Sequence, residues 1–242
     1  MSSATNRPVT DAHADPRLQP EVTLCGVLSL SAGRPVLLLE DRPGSTTGPQ
    51  FVAAADRIGA DQMAFLVRYS SGFVFVCLPA VRCAELMLPI FANDLDLVDE
   101  PIQVVSVDAR ERVSTGISAA DRSLTARLLA DPHTGPAELT RPGHVVPIRV
   151  TQNCRKRAEA IPALALDLCL IAGTSDAAIL CDLVDEQGET MTTAGALQFA
   201  ALHDLACVVA SEVSSYRQTS LDDADRPPID AGLLNTPEPI AS

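Results

Sequence analysis

Short apolar runs recur along this chain, separated by segments of helical spacing, and that alternation narrows the possible folds more than any other feature. Pro35–Leu39, Phe51–Ala55, Phe73–Leu78, Val145–Val150, Ala177–Val184 and Ala206–Ala210 are too short for buried helices and favour β structure, so they read as strands. Ile102–Val107 predicts one further strand, and Gly143 a turn ahead of Val145. Between the strands, Val22–Leu30, Gly59–Tyr69, Val81–Leu86, Asp121–Leu129, Ala163–Ala172 and Ala194–His203 suit helices. Arg42–Gln50 is dense in turn residues and reads as a loop, and Asp185–Glu189 as a hairpin. Strands interleaved with helices of about 10 residues imply an α/β (α+β) fold, a single mixed sheet with helices packed around it. We place that domain at 21–217, between flexible tails at 1–20 and 218–242 rich in charge and Pro.

Composition limits what such a domain can do. With 47% apolar residues, 3% aromatic and no Trp, the core must be built from Leu, Val, Ile and Ala. A net charge of −13 argues against non-specific nucleic-acid binding, which needs basic surface to displace phosphate counterions. No apolar run approaches the roughly 20 residues that span a membrane, and the N-terminus lacks a signal-peptide core, so a cytoplasmic protein is the expectation. The seven cysteines form no C-x-x-C pair and read as buried thiols, with no disulfide framework or zinc site.

Two polar segments stand out. Ser114-Thr115-Gly116-Ile117-Ser118-Ala119-Ala120-Asp121-Arg122 puts hydroxyls and a glycine between a strand and a helix start. Ser118 can cap that helix, Gly116 permits close backbone approach, and Asp121 suits the first turn. An ordinary capped helix and an anion site are both consistent with this. The second segment, Arg141-Pro142-Gly143-His144-Val145-Val146-Pro147, holds His144, the one imidazole in these segments. His133 and His203 read as a loop and a helix-surface residue.

In this order and spacing the two segments resemble 3,4-dihydroxy-2-butanone 4-phosphate synthase, the riboflavin-pathway lyase, and the likeness runs from about Gly26 to Arg217. Gly33-Arg34-Pro35-Val36, Asp61-Gln62-Met63-Ala64, Ser71-Gly72, Leu88-Pro89, Ser106-Val107-Asp108-Ala109, Asp167-Leu168 and Asp204-Leu205 add to it. The resemblance implies a homodimer and a Mg2+-dependent conversion of ribulose 5-phosphate to 3,4-dihydroxy-2-butanone 4-phosphate and formate. It places a substrate floor at Ser114, Thr115, Gly116, Ser118, Asp121, Arg122 and Arg141, with His144 beside the substrate or fixing the turn at Gly143. Arg122 and Arg141 would bind an anion, or pair with Asp121 and Glu138.

The segments that carry the chemistry depart from the family pattern. The acidic D-R-E-x-E-G-D loop falls on Pro43–Pro49, and the H-T-E motif on Ile161-Pro162-Ala163. The phosphate-binding Arg becomes Ala158, with Arg155 and Arg157 near enough to compensate; we include Arg157 in the substrate site. A later Glu is replaced by Asp182, read as a shortened acid or as a capping residue, and a Cys by Phe75. Ser, Thr and Ile cannot build a Mg2+ site, so no metal or other cofactor is expected. The expectation is a repurposed, metal-independent biosynthetic enzyme of secondary metabolism acting on a small metabolite, anions included, with His144 and Asp182 as its catalytic residues. The alternatives are a pseudoenzyme that binds a metabolite or partner, and a weak authentic synthase whose acids come from Glu40, Asp41 and Asp182. An open pocket at Ser114, His144 and Asp182 would favour an enzyme; one filled by Phe75, Ile161 and the 43–49 loop would favour a binding role.

Overall fold

The computed structural model describes residues 20–42, 45–90, 100–157 and 160–222. Its strands are β1 (Val36–Leu39), β2 (Gln50–Ala54), β3 (Val74–Pro79), β4 (Ile102–Gln103), β5 (Val107–Ala109), β6 (Leu139–Val150), β7 (Ala178–Asp182) and β8 (Cys207–Val209). The helices are α1 (Pro20–Ser31), α2 (Ala60–Arg68), α3 (Ala80–Glu85), α4 (Ala119–Ala130), α5 (Gln152–Arg157), α6 (Ile161–Ile171), α7 (Thr193–His203) and α8 (Ala210–Asp222). The strands form one mixed sheet in the order β4-β6-β3-β7-β2-β1-β8, with β5 also paired to β6. β3 runs parallel to β6 and β1 to β8, and the remaining pairs are antiparallel.

Side-chain alternation divides the core into two layers. Leu37, Phe51, Ala53, Val74, Val76, Ile179 and Cys181 pack on one face with α2, α4 and α7. Val36, Leu38, Val52, Cys77, Ala178 and Leu180 pack on the other with α1, α6 and α8. Because both faces are covered, the strands read in sequence as unbroken apolar runs. α6 is apolar nearly all round, from Ile161 to Cys169, and accordingly lies almost wholly buried. α2 is amphipathic and buries Met63 and Leu66.

Four details differ from the sequence reading. Ile102–Val107 is two strands, because Val104 and Val105 bond irregularly to Pro147 and Pro89. Gly143 is no turn but lies inside β6, where a Cβ would come within 2.1 Å of the Val107 carbonyl carbon. The short α5 and a 3-10 turn at Pro136–Glu138 carry too little apolar pattern to be foreseen. Residues 218–222, read as tail, continue α8. Most of both predicted tails lies outside the described residues.

Candidate functional site

A bulge in β6 builds the first half of the site. Between Val107 and Asp108 the β5 partner jumps from Val145 to Thr140, which leaves Gly143 and His144 without ladder partners. Side chains take their place: the Gly143 N–H donates to Ser106 Oγ at 3.2 Å, and the His144 N–H to Asp108 Oδ1 at 2.9 Å. The other Asp108 oxygen lies 2.7 Å from His144 Nδ1. Asp108 is 8% exposed while the His144 side chain is 39% exposed, so the ring is anchored from beneath and open above.

The loop 114–118 packs against the bonded edge of this pair. Asp121 holds it by accepting hydrogen bonds from Ser114 Oγ at 2.8 Å, Ser114 N at 3.2 Å and Gly116 N at 3.1 Å. These bonds, led by that of the Ser114 hydroxyl, hold the Asp121 carboxyl below its usual range. Ser118 caps α4 as expected, accepting from the Asp121 N–H at 3.0 Å. Gly116, at φ +84°, presses so close that a Cβ would sit 2.1 Å from Asp108 Oδ2 and 2.7 Å from His144 Nδ1. The glycine is needed for its approach to a neighbouring side-chain pair. Thr115 is exposed at the tip of the loop.

The two arginines have framework partners. Arg141 donates to the carbonyls of Pro136, Leu139 and Leu86, tying β6 to the end of α3. Arg122, 5% exposed, donates to the Gly72 carbonyl at 2.9 Å, its Nε is buried without a partner, and burial lowers its pKa. Neither pairs with Asp121 or Glu138 on the surface. Arg157 ends α5, and its side chain, like residues 158 and 159, lies outside what is described.

Across the sheet, Asp182 ends β7 and accepts a hydrogen bond from Gln50 Nε2, its register partner on β2. β3 pairs Phe75 with Leu180 on one side and Val146 on the other. The ladders of β3 begin at Val74 and Phe75, and Ser70 bridges Leu183 out of their register, so Phe73 stands just beyond the paired strand. Phe73 is 60% exposed and stacks on Phe75 at an interplanar angle of 12°.

The two rewritten segments meet beside Phe75. A cleft of about 340 Å3 is bounded by Ser45 and Thr47 from one and by Ile161 and Pro162 from the other, with Phe75, Ile148 and Leu180 as its apolar wall. Its polar side is Glu40, Arg42, Gln50 and Gln103. Ser114, His144 and Asp182 do not line it, and Phe75 and Ile161 narrow it without closing it. Burial alone would raise the Glu40 pKa, but the hydrogen bonds and charge of Arg42 outweigh it and the pKa is lowered. Arg42 binds that carboxylate through Nε at 2.7 Å, through its backbone N–H at 3.0 Å and through a second guanidinium nitrogen. Asp41 turns away, accepting from Ser211 at the start of α8. His203 is no plain surface residue: it packs among Phe65, Tyr69 and Phe199, its ring 4.2 Å from that of Phe199.

Asp108, Gln50 and Arg42 were not singled out as site residues. Asp108 offered a signal, an acid flanked by Val107 and Ala109 in a strand, since a buried carboxylate needs a partner.

Residues 27–216 match the family model for 3,4-dihydroxy-2-butanone 4-phosphate synthase. A riboflavin biosynthesis protein RibBA of Salinispora arenicola is 41% identical over 187 residues, which is 77% of this chain and 44% of that protein. The chain therefore spans less than half the length of this relative. A 3,4-dihydroxy-2-butanone 4-phosphate synthase of Photorhabdus laumondii is 33% identical over 190 residues, 78% of this chain and 87% of that one. A crystal structure of 3,4-dihydroxy-2-butanone 4-phosphate synthase of Candida albicans superposes with a TM-score of 0.74 at 29% identity, covering 83% of this chain and 98% of the other.

Proposed function

The chain belongs to the 3,4-dihydroxy-2-butanone 4-phosphate synthase family, and within it we propose a divergent role. Its cleft takes a small hydroxylated metabolite and serves a metal-independent rearrangement, cyclisation or lyase step, not the Mg2+-dependent conversion of ribulose 5-phosphate. The observation that carries this reading is the make-up of the cleft. Mg2+ demands near-octahedral hard oxygen ligands and is held through carboxylates. Among the described lining residues the acid is Glu40, and Arg42 already neutralises it. Ser45, Thr47, Ile161 and Pro162 supply no carboxylate. The described residues do not fit the ion.

Proton transfer without a metal is within reach of this chain's own groups. His144 is held by Asp108 and Asp182 by Gln50. The cleft, about 340 Å3, is adequate for a small metabolite, although Ser114, His144 and Asp182 do not line it. Incubation with ribulose 5-phosphate and Mg2+ tests the proposal through formate release. The expected result is no release above the protein-free rate. Ordinary turnover, abolished by His144→Gln or Asp182→Asn, would overturn it.

The comparisons themselves favour a second reading, a weak authentic synthase. Relatives 33–41% identical carry the riboflavin-pathway names, and Glu40 lines the cleft together with Gln50, the partner of Asp182. Under that reading formate appears slowly and the same two variants stop it. A homodimer belongs to both readings and is tested by sedimentation equilibrium.

A further inference from the structure

We propose that Asp108 is the positioning residue that sets the tautomer of His144, and that the loop 114–118 is the roof that shields the Asp108 carboxylate in this bond. The inference rests on the reading of His144 as a proton-transfer group. A neutral imidazole carries one N–H, and the partner of each nitrogen decides which one bears it. Asp108 Oδ2 sits 2.7 Å from Nδ1, and an ionised carboxylate can only accept, so the proton resides on Nδ1. The Nε2 lone pair is then left to take a proton from a ligand.

The surroundings reinforce the arrangement. Asp108 Oδ1 is occupied by the His144 backbone N–H at 2.9 Å, so the carboxylate is gripped at both oxygens and cannot turn away. Gly116 covers Oδ2 closely enough to exclude a side chain, leaving water little room to compete for the bond. Asp121, through three hydrogen bonds to Ser114 and Gly116, holds that cover in place. The segment that reads in sequence as a ligand cradle thus acts one layer deeper, by holding an imidazole in one protonation pattern. Asp108→Asn should invert the tautomer. The backbone N–H of His144 requires an acceptor and claims the amide oxygen, which turns the amide NH2 toward Nδ1 and drives the proton to Nε2.

Two-bond 1H–15N correlation spectroscopy of the histidine side chains at about pH 9, well above the ordinary imidazole value of about 6.5, reads this without any substrate. The wild-type protein is expected to show an Nδ1–H imidazole whose signals vanish in His144→Gln. In Asp108→Asn that ring is expected as Nε2–H, with the His133 and His203 signals unmoved. Wild-type His144 found as Nε2–H, or Nδ1–H persisting in Asp108→Asn, would overturn the proposal. The wild-type spectrum alone decides the matter if the variant fails to fold. Because no turnover is read, a wrong tautomer and a wrong function give separate answers.

Discussion

Replacing Gly116 with Ala tests whether this loop is a roof or a ligand cradle. At φ +84° an alanine pays left-handed strain of about 1–2 kcal/mol. Its Cβ would also lie 2.1 Å from Asp108 Oδ2, so the carboxylate must move by more than an ångström and release Nδ1 of His144. A hydrogen bond to a charged group contributes about 1.5–3 kcal/mol, giving a total loss of about 2.5–5 kcal/mol. For a domain of about 200 residues that lowers Tm by roughly 5–20 °C. Gly173 is the matched control, with φ +67° and nothing within 4 Å of a Cβ, so Gly173→Ala carries the strain alone. Urea unfolding followed by circular dichroism compares the two variants directly. Equal destabilisation, within about 0.5 kcal/mol, would refute the claim that Gly116 is pressed against the Asp108–His144 pair.

Three further outcomes follow from the same geometry. Asp121 is held below its unfolded value, so it favours the folded state at neutral pH and loses that advantage as pH falls through its folded-state value. Asp121→Asn should therefore lower the Tm near neutrality, with the gap from wild type narrowing on acidification. Arg155, 6% exposed, binds Asp167 at 2.9 Å and Asp176 at 2.8 Å, and Arg155→Ala should cost about 1.5–3 kcal/mol in urea unfolding, since Arg217 still pairs with Asp167 and Asp176 is partly exposed. Among the thiols, exposed Cys25 should react rapidly with a disulfide reagent in the native protein, whereas burial pushes Cys83, Cys169 and Cys181 up to about 12 and should leave them inert until unfolding.

Much of the fold was legible because the strands are buried on both faces. Leu37 and Leu38, or Ala178 and Ile179, belong to opposite core layers yet are equally apolar, and such runs announce themselves. Short polar elements such as α5 do not, since they depend on what the neighbouring chain packs against them. Ser118 was readable as a cap from local chemistry alone, and Gly116 as a point of close approach. What it approaches was not readable, because Asp108 and His144 lie 36 residues apart and meet only through a bulge with no sequence signature. Arg122 and Arg141 look like anion binders in sequence for the same reason. The carbonyls that accept from them, Gly72 and Leu86, come from distant elements.

The central proposal is that the described residues of the cleft do not hold Mg2+. Mn2+, a paramagnetic stand-in for Mg2+, can be titrated into the protein while the free ion is followed by electron paramagnetic resonance. The account predicts a free-ion signal that rises as it does in buffer. A saturable, stoichiometric loss of that signal, abolished by Glu40→Gln, would contradict it.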